Sequence, residues 1–116
     1  MYKQSLPPVA EAADRARSWA RETASRHHPE LAARCERVVS RLVANAVPRT
    51  PEDGMIAVTI TPSAGRLRVE VHDPGEPVGG DEKDEWSEVS ELTPWYGGSR
   101  TQNGHVTWAE LRGPAP

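Results

Sequence analysis

The sequence predicts one α+β domain, a two-layer α/β sandwich whose mostly antiparallel sheet carries its helices on one face. Three observations predict it. Residues 9–47 repeat apolar side chains at three- and four-residue steps, the period of helices packed on one side. Residues 55–61 and 66–72 alternate with period two, as strands buried on one face do. The length, 116 residues, is enough for one core and not for two, so residues 1–116 form a single domain.

The elements follow in order. Residues 1–8 (MYKQSLPP) are short and Pro-ended, which suits an edge strand ahead of the first helix. Pro8 fits a helix start, where its missing amide hydrogen leaves no bond unmade. From Val9 to about His27 the pattern is helical: Val9, Ala12, Ala13, Ala16, Trp19, Ala20, Thr23 and Ala24 share one side, and Glu11, Asp14, Arg15, Arg17, Ser18, Arg21 and Glu22 the other. The alanines permit close approach to a neighbour. His27 and His28 before Pro29 end this helix, where cationic groups suit the helix dipole; a metal-binding histidine pair is the competing reading. The second helix, Pro29 to Val47, puts Leu31, Cys35, Val38, Val39, Leu42, Val43 and Ala46 on one arc. Asn45 falls just outside the edge of that arc, with Arg41 and Arg34 beside it, and Pro48 and Pro51 stop the helix.

A loop rich in Pro, Asp and Gly leads into the hairpin. Ile56, Val58 and Ile60 mark one buried face and Leu67, Val69 and Val71 its neighbour's, with Pro62-Ser63-Ala64-Gly65 as the turn. The second strand empties into Asp73-Pro74-Gly75-Glu76-Pro77 and then Val78-Gly79-Gly80. An ordinary acidic turn accounts for those residues, and so does a carboxylate placed beside a glycine that admits a close neighbour. The run DEKDE (81–85) opens a short helix through Trp86, Val89 and Leu92, ended by Pro94. Trp95 to Ser99 reads as a turn followed by a polar loop to Gly104, HVTWAEL (105–111) as the last strand, and GPAP (113–116) as a frayed tail.

Composition excludes several classes. Net charge is −3, against general binding to nucleic-acid phosphates. The single cysteine, Cys35, rules out an internal disulfide and the common four-ligand zinc sites, and its place on the apolar arc favours a buried thiol over a nucleophile. No apolar run reaches membrane-spanning length and the start lacks a signal-peptide pattern, so a cytoplasmic protein without membrane contact is expected. There is no Phe, which leaves the aromatic volume largely to Trp19, Trp86, Trp95 and Trp108.

Taken together the pieces resemble the histidine-kinase-like ATPase superfamily, and within it the small anti-sigma-factor serine kinases and their ATP-binding relatives in actinobacteria. ARSWARETASRHHPELAARCERVVSRLVANAV is similar to their first two helices, and IAVTITPSAGRLRVEVHDPGEP to their central strands ending in Asp-x-Gly-x-Pro. VSELTPWYGGSRTQNGHVTWAEL is similar to their last helix, turn and closing strand. In that family the second helix carries Glu-Leu-x-x-Asn-Ala, whose Asn helps bind magnesium and whose Glu orients or deprotonates the attacking group. The Asp of Asp-x-Gly reads the adenine amino group, and a later Gly-x-Gly-Leu offers helix-end amides to the phosphates.

The resemblance carries over in part. Asn45 falls at the magnesium Asn, and Asp73 and Gly75 at the adenine-reading pair. Arg41 stands where the Glu belongs, and a guanidinium stays protonated and cannot act as a base, though it could bind phosphate. Lys83-Asp84-Glu85-Trp86 replaces the glycine box, with Glu85 where phosphate would approach bare amides, and the lid is short. The resemblance therefore implies a reduced member of the fold that binds no nucleotide, or ATP or ADP with magnesium only weakly, through Asn45, Asp73, Gly75 and Arg41. A regulatory protein partner, such as a sigma factor or its antagonist, is expected by analogy, with Trp86, Trp95 and Tyr96 as exposed contact candidates or as core filling; a homodimer is a further expectation. Two alternatives stand beside it: an active anti-sigma-type serine/threonine kinase, and a small-ligand or peptide pocket in the vacated cleft lined by Arg41, Asn45, His72 and Asp73.

Overall fold

The computed structural model describes residues 1–75 and 82–113, with side chains from Trp86 onward in the second stretch. The run Glu76 to Gly80, the lid, the side chains of the acidic run 81–85 and the tail Pro114 to Pro116 lie outside the described residues.

Chain order is β1 (Tyr2–Leu6), α1 (Ala12–His27), α2 (Ala32–Ala46), β2 (Ile56–Ser63), β3 (Arg66–Asp73), α3 (Glu82–Leu92), β4 (Trp95–Thr101) and β5 (Gly104–Arg112). Single 3-10 turns at Pro29–Leu31 and Val47–Arg49 flank α2. The five strands form one sheet in the order β1-β2-β3-β5-β4, every neighbouring pair antiparallel. The α+β, two-layer expectation holds.

Register decides which side chains meet the helices. Val58 lies opposite Val71, Val69 opposite Ala109 and Leu67 opposite Leu111, so the apolar halves of three strands share one face. All six of these residues are fully buried. Against them lie Val38, Val39, Leu42 and Val43 of α2, also fully buried. Each such Val or Leu contributes about 1.5–3 kcal/mol relative to an exposed side chain. Ala12, Ala16, Ala20 and Ala24 form a buried stripe on α1, spaced to let α2 lie close. The two helices are also joined by Glu36, a buried carboxylate of α2 that accepts from Arg17 and Arg21 of α1. Its hydrogen bond and charge push the Arg17 guanidinium pKa up.

Three local expectations change. Helix α1 begins at Ala12; Val9 belongs to a preceding turn in which its amide donates to Pro7 O. Pro62 and Ser63 extend β2, and the turn narrows to Ala64-Gly65, with Gly65 at φ +67°. Residues 95–101 are strand β4, not a turn and polar loop. Nothing periodic in WYGGSRT calls for a strand; partners elsewhere make it one. Thr93 Oγ1 donates to Glu110 O of β5 and accepts from Trp95 N, fixing where β4 starts. Tyr96 stacks on Trp86 of α3 at 5.0 Å between ring centroids, and both rings pack against the core rather than standing free.

The other face of the sheet is covered by no helix among the described residues. There Arg68 stacks on Trp108 at 4.6 Å and Arg112 on Trp95 at 3.7 Å, and Glu70 and Glu110 pair with the same arginines. Burial opposes the charge on Glu70, but hydrogen bonds from Arg68 and His72 outweigh it, so its pKa lies below the usual value. Among the described residues no helix is long and apolar enough to cross a membrane.

Candidate functional site

The candidate site lies where the end of α2 meets the end of β3. Helix α2 does not stop dead at Pro48. It tightens into the 3-10 turn Val47–Arg49, with Thr50 N donating to Val47 O and Thr50 Oγ1 to Ala46 O. Val47 N still donates to Val43 O, but Pro48 has no amide hydrogen to carry the ladder on to Ala44 O, so the α-helix ends there and closes as the 3-10 turn. The turn aims Arg49 inward: its side chain is only 5% exposed.

Strand β3 delivers the opposing group. Alternation puts Leu67, Val69, Val71 and Asp73 on the helix-facing side, and the Asp73 side chain is completely buried. Its Oδ2 accepts from Arg49 Nη2 at 3.1 Å, and its Oδ1 accepts from the Gly75 amide at 3.0 Å. His105 Nδ1 stands 4.0 Å from Oδ2, buried and without a hydrogen-bond partner among the described residues.

The glycines here are set by the chain itself. A Cβ on Gly75 would lie 1.8 Å from the Arg49 carbonyl oxygen, so the 3-10 turn crosses the Asp73–Gly75 turn at a distance no other residue allows. Gly104 has φ +153° and would place a Cβ 2.1 Å from Asp73 O. Asp73 is thus gripped from two sides by backbone. The close neighbour expected at Gly75 is a segment of the same protein.

The remaining site residues fall as follows. Asn45 is half-buried on the rim of α2. Arg41 is exposed, and its Nε donates to Glu88 Oε2 of α3 at 2.9 Å; Glu88 also pairs with Arg37 at 3.5 Å. His72 alternates onto the opposite face, where its Nε2 lies 3.1 Å from Glu70 Oε1. The structure therefore keeps Arg41, Asn45 and Asp73 on the helix side of the sheet; His72 turns its ring to the other face, while lining with Asp73 and His105 a cavity at that end of β3 and β5. Helix α3 starts at Glu82, so the backbone of 83–86 forms the opening of a helix. No group of three or more His, Cys, Asp or Glu side chains able to hold a metal occurs among the described residues. A magnesium ion here would rest on Asn45 and a ligand's phosphates.

Sequence reading missed Arg49, His105 and Glu88. Arg49 sits between two prolines in a loop, where an arginine is ordinarily solvated. The available signal was the pairing rule: a buried aspartate requires a cation or several donors.

No family model matches the chain, and no curated protein does. Solved structures do match. The structure of the RsbU and RsbW domains of Rv1364c from Mycobacterium tuberculosis aligns with a TM-score of 0.71 at 18% identity, covering 100% of this chain and 34% of that one. This chain thus spans about a third of that protein's length. The catalytic domain of the histidine kinase ThkA aligns with a TM-score of 0.58 at 18% identity, covering 97% of each chain. At such identity the likeness establishes the fold alone: the five-stranded antiparallel sheet with its helices is shared with these two structures.

Proposed function

We propose that this chain is a non-catalytic, or at most weakly nucleotide-binding, regulatory protein that uses the histidine-kinase-like ATPase fold to bind another protein. The observation that carries the reading is the buried Arg49–Asp73 pair. The carboxylate at the adenine-reading position has Oδ1 engaged by Gly75 and Oδ2 by Arg49. Arg41, at the position of the family's base, is permanently cationic and bound to Glu88. Both features oppose transfer chemistry and leave the scaffold intact.

The partner follows by analogy with the anti-sigma kinases that the sequence resembles: a regulatory protein of sigma-factor or antagonist type. Of the three aromatic contact candidates, Trp95 is the one that remains available, 39% exposed with Arg112 stacked on it. Trp86 and Tyr96 serve the core instead.

The test is calorimetric titration with ATP and ADP, each with and without magnesium. The expected result is no saturable heat at micromolar concentration and no shift in melting temperature. Micromolar binding accompanied by phosphate transfer to a protein substrate overturns the reading in favour of a kinase.

A further inference from the structure

We propose that Arg49 is a tethered ligand: its guanidinium fills, within its own chain, a buried acceptor site that takes planar N–H donors. The inference rests on the reading of the cleft given above and names the ligand class that the cleft selects.

The acceptor is organised without Arg49. Asp73 Oδ1 is held by the Gly75 amide, so the carboxylate plane is set by backbone and not by the cation it meets. Oδ2 is left pointing at whatever enters from the α2 side, and Arg49 Nη2 is what enters. The Arg49 backbone is held separately, because its carbonyl lies against Gly75 and the turn is closed by the Thr50 bonds. Truncating the side chain therefore removes the occupant while the walls remain.

The occupant leaves part of the site unmet. His105 Nδ1 is buried beside the same carboxylate, too far at 4.0 Å to bond it, and has no other partner among the described residues. A guanidinium offers only donors, so it meets Asp73 and cannot serve a donating His105. A heterocycle with an amino group next to a ring nitrogen offers a donor and an acceptor side by side. Such a molecule can meet the carboxylate and the imidazole together. The site thus takes guanidinium, amidine or amino-heterocycle ligands, and Arg49 competes with all of them at an effective concentration no free ligand matches.

The experiment compares wild type, Arg49→Ala and the double variant Arg49→Ala/Asp73→Asn by thermal melting and calorimetry. The probes are ethylguanidinium, which restores the missing side chain, and ADP, which carries an amino-heterocycle. Arg49→Ala is expected to melt several degrees below wild type and to regain part of that loss in millimolar ethylguanidinium, as ligand linkage requires. It is expected to bind ADP at least about tenfold more tightly than wild type. The double variant responds to neither probe. A folded Arg49→Ala protein that ignores both probes overturns the proposal, as does an equal response from the double variant. Should Arg49→Ala not fold unaided, its folding is titrated with ethylguanidinium by far-ultraviolet dichroism: recovery of the folded signal supports the proposal, and no recovery in a solution that leaves wild type folded overturns it. A failure of this kind leaves the non-catalytic reading untouched, whereas tight ADP binding with phosphate transfer by the wild type sinks that reading.

Discussion

Asp73 shows how little of an ion pair is visible locally and how much depends on it. Breaking a buried pair strands the surviving charge, so Asp73→Asn is expected to destabilise the fold by about 3–5 kcal/mol in urea unfolding. Arg41→Ala removes an exposed partner of Glu88 and is expected to cost about 0–1 kcal/mol in the same assay. A pair of equal cost would mean that Arg49 reaches water. Cys35 supplies a pH test. Burial, reinforced by the nearby Glu36 charge, pushes its thiol from 9.0 up to about 12. The unfolded chain therefore loses this proton first, and stability is unaffected below about pH 9, then falls as pH rises toward 12. Cys35→Ala should flatten that alkaline decline, and native Cys35 should resist thiol reagents at pH 8. At this scale the placements of Asp73 at a strand end and of Asn45 on a helix rim were legible from the ends of periodic segments. Arg49 and Glu88 were not, because a partner far away in sequence leaves no local periodicity.

Among the elements, the helices and the β2–β3 hairpin could be read because each buries one regular stripe. Strand β4 could not. Its side chains are mostly exposed and two of its seven residues are glycine, so its order comes from Thr93, Tyr96 and the flank of β5. The ring of Trp108 lies across Gly97, where an added Cβ would sit 3.0 Å from its Nε1. Gly97→Val is therefore expected to push Trp108 off the sheet, seen as a change in its fluorescence, with a loss of about 1–3 kcal/mol. Gly75→Ala meets backbone rather than a movable ring, so the 3-10 turn must separate from the Asp73 turn. Its cost should exceed that of Gly97→Val, and a smaller one would show that the crossing is loose.

Among the described residues α1, α2, α3 and the sheet contribute to a single buried cluster, so they are expected to unfold together. Unfolding followed by tryptophan emission and by far-ultraviolet dichroism should give coincident curves. Trp95→Ala, outside that cluster, is expected to stay folded; a collapse would return the indole to a core role. The domain also has a polarity along its strands. Tyr2 is paired with Ile60 and Arg112 with Arg66, so β1 starts and β5 ends in the half of the sheet that carries the Ala64-Gly65 turn. Tyr2 and Arg112 are three strand spacings apart across the sheet and three residues apart along it, roughly 17 Å in all. Asp73 pairs with His105 at the far end of β3, seven residues and roughly 24 Å away. Tags, surface anchors or neighbouring domains fused at either terminus would thus leave from the pole opposite the Arg49–Asp73 site. The same closeness lets a short linker join the ends, so that a circularly permuted chain could open elsewhere and keep the site whole.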